Sequence, residues 1–87
     1  MIELTDRARE MIGELCSRRE SPAAGLRIAR RRSGLGLWMS LVDEPGDGDA
    51  VIEVEDVVLY LDDAAQARLA DRTLDARSNA QGAAFFV

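Results

Sequence analysis

Between Gly25 and Leu61 the sequence holds four short apolar segments, none longer than six residues, each ended by glycine, proline or acidic turn chemistry. Segments this short leave no room for a helix. They satisfy their backbone hydrogen-bonding groups by lying side by side, so this half of the chain is expected to be a sheet. Gly25-Leu26-Arg27-Ile28-Ala29-Arg30 alternates apolar and basic residues and reads as a half-buried strand. Arg31 to Gly36 is a polar, glycine-containing loop. Leu37 to Val42 is the next strand, with Trp38, Ser40 and Val42 on one face and Leu37, Met39 and Leu41 on the other. The run Asp43-Glu44-Pro45-Gly46-Asp47-Gly48-Asp49 is turn chemistry. Val51 to Val54 and Val57 to Leu61 are two more strands, separated by Glu55-Asp56.

The flanking segments add helices. Ile2 to Leu4 is an apolar-acidic-apolar edge strand, and Thr5 stands where a helix N-cap belongs. Ala8, Met11, Ile12, Leu15 and Cys16 follow at helical i, i+3, i+4, i+7 and i+8 spacing, which predicts an amphipathic helix ending near Arg19. Ser21-Pro22 closes it, because proline lacks the amide hydrogen and disfavours helical geometry in the residue before it. Asp62 or Asp63 caps a short second helix through Leu69. Arg72 to Ala76 and Gly82 to Val87 are two closing strands across a Ser78-Asn79 turn. The expectation is one α+β domain over residues 1–87, with about six or seven short, mostly antiparallel strands, two helices and no internal repeat.

Charge narrows the function classes. All eleven basic residues are arginine, and the net charge is −5. Nucleic-acid and anionic-membrane binding both need a positive surface field, so neither is expected. The first fifteen residues mix charges into every turn and lack the apolar run of an export signal, which together with one unpaired cysteine makes the cytoplasm the expected location. One cysteine and no histidine give a single copy no thiolate or imidazole set for transition-metal chemistry. With no histidine base and no nucleophile elbow, no enzyme activity and no cofactor are expected.

The candidate residues each have a plain alternative. Cys16 lies on the apolar stripe of the first helix and is expected in the core. Arg30, Arg31 and Arg32, with Arg27 nearby, form the one dense positive feature and adjoin Ser33-Gly34-Leu35-Gly36. They suit a small anion or an acidic protein partner, although Gly-x-Gly without a following helix is not a phosphate loop and a solvated loop is the competing reading. From residue 43 to 56 the acids Asp43, Glu44, Asp47, Asp49, Glu53, Glu55 and Asp56 are expected to be turn and surface residues. Weak iron handling by their oxygens is the alternative. The contrast between this acidic stretch and the arginine loop suits head-to-tail association of copies or an oppositely charged partner. Trp38 is expected as a core anchor; if exposed, it is a contact residue.

Taken in order, these elements resemble the HesB/IscA-like family, the A-type iron-sulfur carriers. Ile2-Glu3-Leu4-Thr5-Asp6-Arg7-Ala8 is similar to that family's first strand and capped helix, and Gly25-Leu26-Arg27-Ile28 to its Gly-Leu-Arg strand. Arg32-Ser33-Gly34, followed by the acidic turn at Asp43-Glu44-Pro45, resembles the family's Cys-Ser-Gly, aromatic-rich strand and acidic turn. Val57 to Leu61, the Asp62-Asp63 helix, Thr73-Leu74-Asp75 and Gly82 to Phe86 are similar to its later elements. The resemblance implies a small α+β fold and a link to iron-sulfur cluster biogenesis. It also implies three cysteine ligands, one in the loop before the aromatic strand and two in a Cys-Gly-Cys tail. Here the first position is Arg32, and the other two are expected to be missing, since the sequence stops at Val87 where that tail would begin. Arginine is a permanent cation with no lone pair to donate. A variant without the ligand cysteines (cysteine-less at the ligand positions), with an accessory or interaction role, is therefore expected, with a protein partner or homo-oligomer in prospect.

Overall fold

The computed structural model describes residues 2–33, 36–80 and 82–87. The elements in chain order are β1 (Glu3–Leu4), α1 (Asp6–Ser17), β2 (Gly25–Arg30), β3 (Leu37–Val42), β4 (Ala50–Val54), β5 (Val57–Leu61), α2 (Asp63–Leu69), β6 (Thr73–Asn79) and β7 (Gly82–Phe86). They form two sheets, one ordered β1-β6-β7 and one ordered β3-β2-β5-β4. The α+β class, the two helices and the seven short strands agree with the sequence reading. The Ser78-Asn79 turn does not: β6 runs on through Asn79, which pairs with Gly82, because the cross-strand ladder continues past Ala76.

Thr5 begins α1 as its N-cap, its Oγ1 accepting from the Ala8 N–H at 3.1 Å and donating to Asp75 Oδ1 at 2.7 Å. One hydroxyl thus starts the helix and ties it to β6. The helix turns Ala8 and Ile12 fully inward, as the apolar spacing requires.

The four-stranded sheet has an inner and an outer face. Leu26 and Ile28 of β2 and Leu59 and Leu61 of β5 are fully buried on the inner face, against Ile12 of α1, Leu69 of α2 and Leu74 of β6. Leu37, Met39 and Leu41 of β3 and Ile52 and Val54 of β4 pack around this centre. Full burial of a Leu or Ile side chain contributes about 1.5 to 3 kcal/mol, so this aliphatic cluster is what holds the layers together.

Two strand pairs are parallel, β1 with β6 and β2 with β5. β5 lies between β2 and β4 and is covered on both faces, which explains its nearly continuous apolar sequence Val57-Val58-Leu59-Tyr60-Leu61. On the outer face the connection between α1 and β2 folds over Tyr60, whose hydroxyl donates to the Ala23 carbonyl at 2.6 Å. Gly25 permits this close packing, since a Cβ there would stand 2.7 Å from the Val58 carbonyl oxygen.

Candidate functional site: an arginine-lined cavity on the outer face

Strand pleating places Arg27 and Ala29 of β2 on the outer face, directly opposite Ser40 and Trp38 of β3. The four inward positions of β2 and β3 around them are already filled by Leu26, Ile28, Met39 and Leu41, so Trp38 faces out and is 56% exposed. This corrects the expectation of a core anchor. The aliphatic side chains complete the core without the indole.

Ala29 is too small to cover its larger neighbour, and a cavity of about 450 Å³ opens beside the indole. Arg27, Ala29 and Trp38 form its strand wall, and Arg30, Arg31, Arg32 and Ser33 form the rest. The structure thus brings the predicted site residues together around one concavity. Gly34, also named from the sequence, lies outside the described residues.

The loop that carries the arginines is fixed at both ends. Asp62 accepts the Arg30 N–H on Oδ2 at 2.8 Å and the Ala65 N–H on Oδ1 at 2.8 Å, so one carboxylate caps α2 and anchors the end of β2. Partial burial pushes the Asp62 carboxyl up, but the two amide hydrogens and the nearby Arg27 charge outweigh this and hold it below the ordinary range. Beyond it, the Arg31 N–H donates to the Gly36 carbonyl at 3.3 Å, and Gly36 takes φ +74°, the left-handed conformation that glycine adopts without strain. The Arg31 guanidinium lies 5.6 Å from the centre of the Trp38 ring.

Arg27 differs from its neighbours. Its Nε and Nη2 donate to the two oxygens of Asp49 at 2.7 and 3.1 Å, and the Asp49 side chain is fully buried. The Gly46 N–H adds a third bond to Asp49 at 2.8 Å, so the acidic turn is drawn over the sheet. These contacts, the Arg27 bond first, hold the Asp49 carboxyl below its usual range against the upward push of burial. Arg27 therefore supplies a wall of the cavity, with its charge already balanced.

The acidic stretch does not gather into a metal centre. Asp43 pairs with Arg19 at 2.6 Å, Glu55 and Asp56 reach Arg9, and Asp49 holds Arg27. These four acids are spread over three arginines, with Glu55 and Asp56 sharing Arg9, and among the described residues no three carboxylates or thiols converge. The acids at residues 43–56, for which oxygen-ligated iron is the alternative from the sequence, are instead distributed over separate contacts. Cys16 is half-buried on α1 and packs against the core. Burial pushes its thiol up, partly offset by Arg19. Its placement agrees with the sequence reading.

No family model matches the chain. The chain is 40% identical to the uncharacterized protein y4vC of Sinorhizobium fredii over 98% of its own length and 83% of that protein. It is 35% identical to the uncharacterized protein blr1755 of Bradyrhizobium diazoefficiens over 86% of its length and 74% of that protein. A crystal structure of IscA with its [2Fe-2S] cluster superposes with a TM-score of 0.72 at 28% identity, spanning 98% of this chain and 81% of that one. The chain has the HesB/IscA-like fold. A protein from Aquifex aeolicus is similar at a TM-score of 0.76 and 25% identity, over 98% of this chain and 87% of that one. Escherichia coli SufA, which is involved in biosynthesis of iron-sulfur clusters, shares the fold at a TM-score of 0.73 and 24% identity, over 98% and 81%.

The residues of this HesB/IscA-like chain do not fit a cluster held by the family's thiolates. Iron in a cluster is bound by soft, deprotonated sulfur. At the first ligand position of the resemblance stands Arg32, exposed in the loop, while the single cysteine packs half-buried against the core on another element. Among the described residues no helix is long and apolar enough to cross a membrane.

The sequence reading missed three features. The Arg27–Asp49 bond joins residues 22 apart, and the double role of Asp62 joins it to a residue 32 earlier. Neither partner can be chosen from a list of eleven arginines and sixteen acids. The pairing of Ala29 with Trp38 had a signal, since a small residue opposite a large aromatic on adjacent antiparallel strands leaves space; register was the missing piece.

Proposed function

We propose that this HesB/IscA-like domain serves iron-sulfur cluster biogenesis as a non-enzymatic accessory protein that interacts with other components and carries no cluster of its own. What supports the reading is Arg32, which the resemblance assigns to the first ligand position, two residues beyond the Arg30 amide that Asp62 anchors. A guanidinium there repels iron and offers it no electron pair. What the fold retains at that place is a positively charged, concave surface, which suits recognition better than ligation. The likeness to IscA and SufA supports the connection to cluster biogenesis.

The test is a transfer assay in which a cysteine-bearing A-type carrier, loaded with cluster, donates to an apo acceptor in the presence of this chain. The expected result is a changed transfer rate, with the cluster found on carrier and acceptor alone. Loss of the effect in Arg32→Glu places the contact at the loop. A rate unchanged at a molar excess of the chain contradicts the accessory role.

A further inference from the structure

The cavity beside Trp38 combines two surfaces that seldom meet in one small concavity. One wall is flat and apolar, made by the indole and Ala29. The other carries Arg30, Arg31 and Arg32, none of which forms an ion pair among the described residues; Arg7, Arg68, Arg72 and Arg77 form none either, but they do not line this cavity. In a protein of net charge −5 with sixteen acids, three unneutralised guanidinium groups at one place make a strong local field of opposite sign. No acid is among the residues that line the cavity.

The volume of about 450 Å³ falls in the range of roughly 300 to 1,000 Å³ typical of small-molecule sites. Guanidinium groups bind phosphate oxygens through paired N–H donors, and an aromatic face stacks on a planar ring. The Arg31–Trp38 contact already shows the indole face in use as a stacking surface. We propose that this cavity binds a nucleotide-class ligand, a planar ring carrying phosphate, with the ring against Trp38 and the phosphates on Arg30 and Arg32. Binding there is independent of whether the chain carries a cluster, so failure of the accessory role leaves it standing.

Trp38 is the single tryptophan, so its fluorescence reports on the site alone. Titration with ADP is expected to quench it saturably, with inorganic pyrophosphate competing more weakly and adenosine more weakly still. Arg30→Gln and Arg32→Gln should each weaken ADP binding about tenfold or more, the loss expected for one charged hydrogen bond. Both side chains are exposed and lie outside the core, so circular dichroism should be unchanged. By calorimetry, Trp38→Leu should reduce ADP to the affinity of pyrophosphate, and Trp38→Phe should retain the difference. No quenching and no heat at millimolar ADP would overturn the proposal. So would binding that ignores both arginine substitutions, or pyrophosphate binding as tightly as ADP. A short polyglutamate peptide that displaces ADP at lower concentration would overturn it in favour of protein docking.

Discussion

Asp49 places a charged group where no solvent reaches its side chain. Its carboxylate is buried and satisfied by two Arg27 donors and the Gly46 amide. Asp49→Asn keeps the size and loses the charge, and should cost about 1.5 to 3 kcal/mol at neutral pH, the range of a charged hydrogen bond. The pH dependence has a definite sign. The folded-state carboxyl is held below its ordinary range, so its stabilisation is complete above the unfolded value, about pH 4, and is lost as pH falls through the lower folded value. Urea unfolding of both proteins should therefore show a gap that is constant at neutral pH and narrows in acid; a gap that widens in acid contradicts this assignment. Composition shows that arginines and acids abound, but not which of them meet. The glycine at position 46 was legible as turn chemistry, whereas its second role was not: a Cβ there would stand 2.8 Å from the Arg27 Nη2.

At the scale of elements, Asp62 connects α2 to β2. It was legible as a cap for the second helix, because an acid directly before an apolar helical run is the standard N-terminal signal. Its second bond, to the Arg30 amide, depends on β5 lying parallel to β2, a pairing that no local pattern specifies. Asp62→Ala removes both bonds and should destabilise the domain by about 2 kcal/mol, combining a lost cap with a lost charged hydrogen bond. Amide exchange of Arg30 and Ala65 should accelerate together, as measured by nuclear magnetic resonance; acceleration at Ala65 alone would show that the loop is anchored some other way. The strands from β2 to β5 were readable almost to the residue, since glycine, proline and acidic turns bound them sharply. The β6–β7 hairpin was set too early at Ser78-Asn79, where polar residues resemble a turn yet continue a ladder near the sheet's end.

For the whole molecule, the distribution of charge matters more than its sum. Acids from residue 43 to 56 are drawn into bonds with Arg9, Arg19 and Arg27, which fastens the acidic turn and the β4–β5 hairpin to the body of the domain. Three arginines at the opposite end of β2 and β3 are left to face solvent around a cavity. The sequence showed both clusters, and only the folded arrangement distinguishes the engaged one from the available one. The likeness in fold was likewise legible from the order of elements, and Arg32, which the resemblance assigns to the first ligand position, is the departure with the clearest chemical consequence. The measurement that bears most directly on it is the iron and acid-labile sulfide retained by the purified chain after anaerobic reconstitution and desalting. A HesB/IscA-like domain with Arg32 in the ligand position should retain neither above the background of a bovine serum albumin control and show no charge-transfer absorbance. Iron and sulfide in stoichiometric amount, with a visible spectrum that survives desalting, would contradict the account.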